Sequence, residues 1–241
     1  MTSDQTPPQP ETSEGSSNTP KKDVSKPRDV GKLSLGVLLG LAAILGVGAG
    51  GLAIYVNGTG TDNAETASSC ALSQERMAAL DAAAQGEVAA FAVVDEGRPV
   101  PDMTFADDSG AMRAMSEWHG KTVVFNLWAT WCAPCREEMP MLDNLQAMHG
   151  GDDFEVVAVS IDTQERANPR GFLEEIEVAA LEFYQDDTAD LFQDLRAAGL
   201  AFGMPTTLLI DDEGCLQGFL AGPAHWDHPD AVALVEAAKI D

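Results

Sequence analysis

Basic residues are scarce in this chain. The sequence has 14 Lys and Arg against 39 Asp and Glu, which gives a formal net charge of −25 at pH 7. Residues 1–32 are balanced, with five basic and five acidic side chains, so the excess of acid lies further along the chain. A surface of this charge repels nucleic acid and anionic lipid. Because the carboxylates form no long run, we interpret them as solubilising charges, with the steering of basic partners as the alternative.

Histidine and cysteine are also scarce, which limits the metal sites that the sequence can encode. The four histidines include one near pair, His225 and His228, and the four cysteines include one near pair, Cys132 and Cys135. A closed zinc site needs four ligands, and the sequence has no second cysteine pair and no third donor of the right spacing at the histidine pair. We therefore expect no metal and no cofactor, and half of a zinc site is the less favoured interpretation of the cysteine pair.

Charged residues are missing from one long stretch near the N-terminus. Residues 33–56 carry no charge, and their number suffices to cross a hydrocarbon layer of about 30 Å. The basic residues just before this stretch place the N-terminus in the cytoplasm, and we favour an uncleaved anchor over a signal peptide. The sequence thus predicts a disordered cytoplasmic N-terminus at 1–32, a transmembrane anchor at 33–56, a flexible linker at 57–69 and an exported domain at 70–241.

A pair of cysteines stands between a predicted strand and a predicted helix. Cys132 and Cys135 follow the apolar run 123–128 and precede residues 136–148, whose apolar spacing is helical. At such a junction the two side chains lie on one face of the first helical turn, close enough to form a disulfide. We expect Cys132 to be exposed at the helix N-terminus, where the dipole favours a thiolate, and Cys135 to lie deeper. The spacing predicts a redox-active dithiol with Cys132 as nucleophile and Cys135 as resolving thiol.

Strand and helix patterns alternate through the exported part of the chain. This alternation, closed by a hairpin and a helix, predicts an α/β fold with a mixed central sheet flanked by helices and an N-terminal helical extension. The predicted strands are 104–107, 121–128, 154–162, 181–184, 206–210 and 216–220, and the predicted helices are 72–90, 136–148, 172–176, 189–198 and 231–240.

The region around the cysteine pair resembles the thioredoxin fold over residues 101–240. More narrowly, the chain resembles the TlpA/ResA group of bacterial membrane-anchored thiol-disulfide oxidoreductases, and most of all TlpA, which has an extra cysteine pair. Three segments carry the resemblance: Asn-Leu-Trp-Ala-Thr-Trp-Cys at 126–132, Cys-Arg-Glu-Glu-Met-Pro at 135–140, and Gly-Met-Pro-Thr at 203–206.

The resemblance implies roles for residues around the two thiols. Pro205 corresponds to the cis-proline of the fold, and the backbone of Met204 beside it is expected to pair with the substrate. Trp131, directly before the first cysteine, is expected to contact the substrate as well. These assignments place a substrate-binding surface next to Cys132.

Proton transfer to and from Cys135 is the role that the resemblance implies for Glu138. This residue lies three positions beyond Cys135 and so shares its helical face. Thioredoxins carry a buried Asp at the position of Asn126, and an amide cannot titrate, so Glu138 or water has to serve instead. The alternative interpretation of Glu138 is an ordinary solvated carboxylate.

The two remaining cysteines, Cys70 and Cys215, are far apart in the sequence. Leftover cysteines in an oxidising compartment most often pair, and the extra pair of TlpA supports this interpretation. We favour a structural disulfide that ties the N-terminal helix to the sheet. Free thiols and a bridge to another chain are the alternatives.

The resemblance implies a protein disulfide reductase in the bacterial inner membrane, with one span and a periplasmic catalytic domain. Its expected partners are cysteine-containing proteins of cytochrome oxidase or cytochrome c biogenesis, namely a copper chaperone, an oxidase subunit or apocytochrome c, with a membrane thiol reductase as electron donor. A thiol oxidant with the same residues is one alternative. A copper-assembly or binding module without reductase activity is another, although the two-residue spacer argues against copper binding.

Overall fold

The computed structural model describes residues 70–101, 103–164 and 166–239, and it shows one α/β domain in this part of the chain. The strands are β1 (Ala92–Pro99), β2 (Thr104–Asp107), β3 (Met112–Ala114), β4 (Thr122–Trp128), β5 (Phe154–Ser160), β6 (Tyr184–Gln185), β7 (Thr206–Ile210) and β8 (Cys215–Ala221). The helices are α1 (Gln74–Ala83), α2 (Ala133–His149), α3 (Pro169–Glu175), α4 (Asp190–Ala197) and α5 (Pro229–Ala238), with short 3₁₀ helices at Gly86–Val88 and Met115–Trp118.

Three of the predicted segments lie outside the part of the chain that the structure describes. The N-terminus at 1–32, the anchor at 33–56 and the linker at 57–69 lie outside the described residues, so they stay predictions. Among the residues that are described, no helix combines the length and the apolar character needed to span a bilayer.

All eight strands form one mixed sheet in the order β1-β8-β7-β4-β5-β6-β2-β3. At its centre β4 runs parallel to β5 and antiparallel to β7. Every residue of β4 is buried, as expected for an inner strand of a sheet covered on both faces. The predicted thioredoxin-like α/β fold is confirmed.

The pairing of the central strands brings three chain segments to one edge of the sheet. Trp128 at the end of β4 pairs with Ser160 at the end of β5, and Leu127 pairs with Thr206 at the start of β7. The chain that leaves β4, the chain that leaves β5 and the chain that enters β7 therefore meet at this edge. The cysteine pair follows β4 and Pro205 precedes β7, so the topology positions the site.

The predicted strand at 181–184 is wrong for most of its length, since β6 begins only at Tyr184. The carboxylate of Asp143 on α2 accepts backbone N–H groups from Ala179, Ala180 and Leu181, at 2.7 Å for Ala180. A side chain from a distant helix thus holds this segment as a loop.

Two edge strands and the end of the first helix also differ from the predictions. The helix predicted at 72–90 ends at Ala83 and is followed by a 3₁₀ helix. Strands β1 and β3 had no counterpart among the predicted strands. In β1 no residue is buried, so its sequence lacks the apolar alternation by which strands are recognised. Antiparallel pairing with β8, rather than a hydrophobic pattern of its own, holds this segment as a strand.

Candidate active site

The two active-site cysteines occupy the first turn of α2. Cys132 is the N-cap residue, and its Sγ accepts a hydrogen bond from the backbone N–H of Cys135 at 3.3 Å. The two residues form a disulfide, with their Cα atoms 5.3 Å apart. Pro134 fits in this first turn, because backbone N–H groups there have no intrahelical partner and the N–H that proline lacks costs no hydrogen bond. The helix dipole and free N–H groups at this end favour a thiolate on Cys132 after reduction.

The predicted exposure of Cys132 is wrong for the disulfide form. Cys132 is 5 % exposed and Cys135 is fully buried. The cause is local, because the disulfide and the N-cap hydrogen bond hold the Cys132 sulfur against the first turn. Trp131, by contrast, is 56 % exposed and lies on the surface beside the buried disulfide.

The loop that carries the expected cis-proline lies at the same edge of the sheet as the disulfide. The Met204–Pro205 peptide bond is cis. The next residue, Thr206, pairs with Leu127 near the end of β4. The carbonyl oxygen of Pro205 accepts a hydrogen bond from Gly222 N–H at 2.9 Å, which joins the loop to the chain after β8. The substrate-binding roles of Trp131 and Met204 stay predictions.

Glu138 is buried in the apolar stripe of α2. Its side chain is 1 % exposed, so its interpretation as a solvated surface carboxylate is wrong. Oε1 accepts a hydrogen bond from Asn126 Nδ2 at 2.6 Å, and Oε2 accepts one from Ala224 N–H at 3.4 Å. Burial raises the pKa of Glu138 to about 8, against the opposing effect of these donors. Its proton-transfer role stays a prediction.

The indole of Trp226 also borders this carboxyl. It opposes the rise in the pKa of Glu138, although its Nε1 makes no hydrogen bond of acceptable geometry among the described residues. The indole is therefore a weak donor to Glu138. Asn126 and Ala224 are then the two defined hydrogen-bond partners of Glu138.

Asp162 supports the loop before Cys132, and the sequence patterns did not identify it. It is buried just beyond β5, and its carboxylate accepts hydrogen bonds from Thr130 N–H at 2.9 Å and Thr130 Oγ1 at 2.7 Å. Ser160 Oγ donates to the same carboxylate at 2.9 Å. An acidic residue at the carboxyl end of an apolar strand was the available signal, since that edge of a parallel sheet commonly carries the site.

The second cysteine pair also forms a disulfide. Cys70 and Cys215 are joined, so no cysteine of the chain is free. The bridge ties the segment before α1 to the start of β8, and a Cβ on Gly97 of β1 would collide with the carbonyl oxygen of Cys70. Close beside it, Arg76 and Asp211 form an ion pair at 3.6 Å, while burial raises the pKa of Asp211.

Replacing both Cys70 and Cys215 by Ala should destabilise the domain and leave its redox chemistry intact. The bridge spans 145 residues of sequence, and in the chain-entropy model its loss costs about 4–5 kcal/mol at most. Urea unfolding with the active-site pair oxidised measures the change, and insulin reduction measures turnover. A double variant that remains folded but loses turnover would show that this pair takes part in the reaction.

The two near-paired histidines have structural contacts at the surface. His228 is the N-cap of α5, and its Nδ1 accepts a hydrogen bond from Asp230 N–H at 3.3 Å. His225 approaches Glu87 at 4.0 Å. Within the described part of the chain, no three His, Cys, Asp or Glu side chains are grouped as metal ligands would be.

Comparisons with known proteins agree with this geometry. Residues 95–235 match the family model described as Redoxin. The thioredoxin-like protein YneN of Bacillus subtilis is 32% identical over 132 residues, which cover 54% of this chain and 73% of YneN. The thiol-disulfide oxidoreductase ResA of Geobacillus thermodenitrificans is 32% identical over 127 residues, 52% of this chain and 69% of ResA.

Among solved structures, a Chlorobium tepidum protein assigned as thiol:disulfide interchange protein DsbE superposes with a TM-score of 0.52 and 30% identity, over 61% of this chain and 99% of that protein. YneN is named as thioredoxin-like, ResA as a thiol-disulfide oxidoreductase and the structural match as a thiol:disulfide interchange protein. The disulfide at the N-terminus of α2 is the group that thiol-disulfide exchange needs. The chain belongs to the redoxin family and is a TlpA/ResA-like thiol-disulfide oxidoreductase.

Proposed function

We propose that this enzyme is a membrane-anchored reductase that faces the periplasm and keeps cysteines of partner proteins reduced. The partners belong to the assembly of cytochrome oxidase copper sites or of cytochrome c, and a thiol reductase in the membrane supplies the electrons. The observation that carries the reductase function is the disulfide at the N-terminus of α2, next to the cis-proline loop. The charge-free stretch at 33–56, with basic residues before it, supports the anchor and its orientation.

The reaction exchanges one disulfide for another. The Cys132 thiolate attacks a sulfur of the partner's disulfide, and the second partner sulfur leaves as a thiolate that takes up a proton. Cys135 then loses its proton and attacks Cys132 Sγ, which releases the first partner sulfur as a thiolate that also takes up a proton. The partner gains two electrons and two protons, and the enzyme becomes the disulfide form. A dithiol donor in the membrane returns the enzyme to its reduced form.

The redox potential of the active-site pair distinguishes a reductase from an oxidant. We expect a value well below the roughly −120 mV of DsbA and nearer the roughly −270 mV of thioredoxin. Equilibration of the soluble domain with a glutathione series measures it, with the reduced fraction read from trapped thiols. A value close to that of DsbA would contradict the reductase and support the oxidant alternative.

A matched variant makes this measurement unambiguous. The domain contains two disulfides, and only the active-site pair is expected to exchange with glutathione. The Cys70→Ala/Cys215→Ala double variant holds the active-site pair alone. We expect the same potential for this variant as for the unaltered domain, whereas a shifted potential would mean that the second pair contributes to the measured couple.

A further inference from the structure

One polar side chain lies inside the sheet and contacts Glu138 directly. Asn126 is in the middle of β4 and is fully buried. Its Nδ2 donates one hydrogen bond to Glu138 Oε1 at 2.6 Å and another to Thr207 Oγ1 at 2.9 Å. Both amide hydrogens are therefore in use. The Oδ1 atom is buried and finds no partner among the described residues.

Thr207 is the second hydrogen-bond partner of this amide. In the antiparallel pairing of β4 with β7, Thr207 is directly opposite Asn126. Its hydroxyl oxygen accepts from Nδ2, so the amide nitrogen, rather than the amide oxygen, is turned toward Glu138. An unpaired buried oxygen costs free energy. The amide keeps this orientation because the opposite one would turn its oxygen toward the oxygens of the Glu138 carboxylate. Two strands and one helix thus hold an N–H donor against a buried carboxyl.

We propose that Asn126 is a positioning residue: its amide orients Glu138 and stabilises the ionised carboxylate, so that Glu138 can take up the proton of Cys135 during resolution. This inference rests on the reductase function proposed above. Asn126, whose amide cannot titrate, thereby controls the ionisation of Glu138.

The ionised form of Glu138 is stabilised by uncharged hydrogen-bond donors. Its two defined partners are the amide of Asn126 and the N–H of Ala224, and the indole of Trp226 is the weak third donor. On α2 itself, the group that shares the face of Glu138 and can titrate once the active-site pair is reduced is Cys135, three residues earlier.

Charged residues close in sequence to these partners have contacts elsewhere. On the loop after β8, His225 approaches Glu87, and Asp227 accepts a hydrogen bond from Asn144 at 2.9 Å. Glu137, which precedes Glu138 on α2, is exposed. Burial, which raises the pKa of Glu138 to about 8, is therefore opposed mainly by hydrogen bonds to the carboxylate. Losing the shortest of them should raise this pKa further, away from the neutral range where a proton acceptor works best.

The proton balance of the resolving step shows what the amide contributes. The Cys135 thiol passes its proton to the Glu138 carboxylate, and the thiolate forms the bond to Cys132 Sγ. The bond between Cys132 and the partner sulfur breaks, and the partner leaves as a thiolate. After this step the enzyme holds the disulfide and a protonated Glu138. The described structure has that disulfide, and the pKa of about 8 keeps Glu138 protonated at neutral pH.

The Asn126→Leu variant tests the proposal because leucine keeps the volume of the side chain and removes the donor. We expect the midpoint of the Glu138 titration to rise by at least one pH unit, read from the ¹³C shift of its carboxyl carbon in the oxidised domain. The Glu138→Gln spectrum identifies the signal. Thr207→Val leaves Asn126 in place but frees the amide to turn, and it should shift the midpoint in the same direction by less. An unchanged midpoint in Asn126→Leu overturns the proposal.

Gln217→Met is the matched control. Gln217 on β8 is also a fully buried amide with one hydrogen bond, to Ala238 O at 3.1 Å, and an unpartnered oxygen among the described residues. Its loss should lower stability without moving the Glu138 titration. If both variants moved the titration equally, the shift would report general loosening of the core, and the specific role of Asn126 would be refuted.

A kinetic measurement connects the titration to the reaction and covers the case in which Asn126→Leu does not fold. Release of glutathione from a mixed disulfide at Cys132 follows resolution alone. Its pH midpoint should move with the carboxyl titration in Asn126→Leu or Thr207→Val. A carboxyl titration that moves without the release profile would refute the proton-transfer role. Neither readout depends on the redox potential or on a native partner, so failure here is separate from failure of the proposed reductase function.

Discussion

Cys135→Ser should leave the enzyme locked in mixed disulfides and lower its turnover by roughly 10³-fold or more. In the wild type the two Cα atoms are 5.3 Å apart, so Cys135 attacks Cys132 within the same first helical turn. Such an attack has an effective concentration far above that of any thiol in solution. Without it, release depends on external thiols at millimolar concentration. Non-reducing gels that show the adducts, together with insulin reduction rates, measure both effects.

The reciprocal variant is the control for this experiment. Cys132→Ser should form no adducts, because Cys135 is fully buried and cannot reach a partner's disulfide. Its reductase activity should be lost as well. Adducts of equal yield in the two single variants would contradict the assignment of nucleophile and resolving thiol. A complete absence of adducts in Cys135→Ser would instead favour a binding module.

Glu138→Gln should slow resolution by about 10²-fold and flatten its pH dependence. The glutamine keeps the shape of the side chain and can accept the Asn126 hydrogen bond, but it cannot take up a proton. Attack by Cys132 should change far less, because its thiolate is stabilised by the N-terminus of α2. Stopped-flow release from the mixed disulfide separates the two steps. A resolution rate that keeps its wild-type pH profile would contradict a proton-transfer role for Glu138.

The same substitution should change how stability depends on pH. The pKa of Glu138 is raised from 4.5 to about 8 by burial, so the folded state binds a proton that the unfolded state has released. The free energy of unfolding therefore falls as pH rises between these values, by an amount on the order of 5 kcal/mol, and levels off above the folded pKa. Glu138→Gln should flatten this slope.

Urea unfolding of the oxidised domain from pH 4 to pH 9 measures the slope. Glu137→Gln is the matched control, since this neighbouring carboxylate is exposed and its removal should leave the slope unchanged. Burial also raises the pKa of Asp211, which adds to the slope in every variant and cancels in the difference between them. Equal slopes for wild type and Glu138→Gln would mean that Glu138 ionises freely in the folded state.

Much of the central fold follows from short-range patterns. The apolar run before the cysteine pair predicts β4, and the turn before Cys215 predicts the hairpin of β7 and β8. The apolar stripe after Cys135 predicts α2, although its last apolar member, Met148, is exposed near the helix end. These elements bury one face or both, so their hydrophobic period is strong. The edge strand β1 buries no residue and so left no such pattern.

The sequence alone determined the chemistry of this protein, because two cysteines separated by two residues at a strand-to-helix junction need only local geometry to form a redox pair. Which side chains serve that pair was decided by tertiary structure. Asn126 meets Thr207 and Glu138 only because β4, β7 and α2 pack together, and Asp162 reaches Thr130 only because β5 runs beside β4. Burial of Glu138, and with it the rise of its pKa, is a property of that packing, since a carboxyl's proton affinity depends on the solvent and donors that the whole fold places around it.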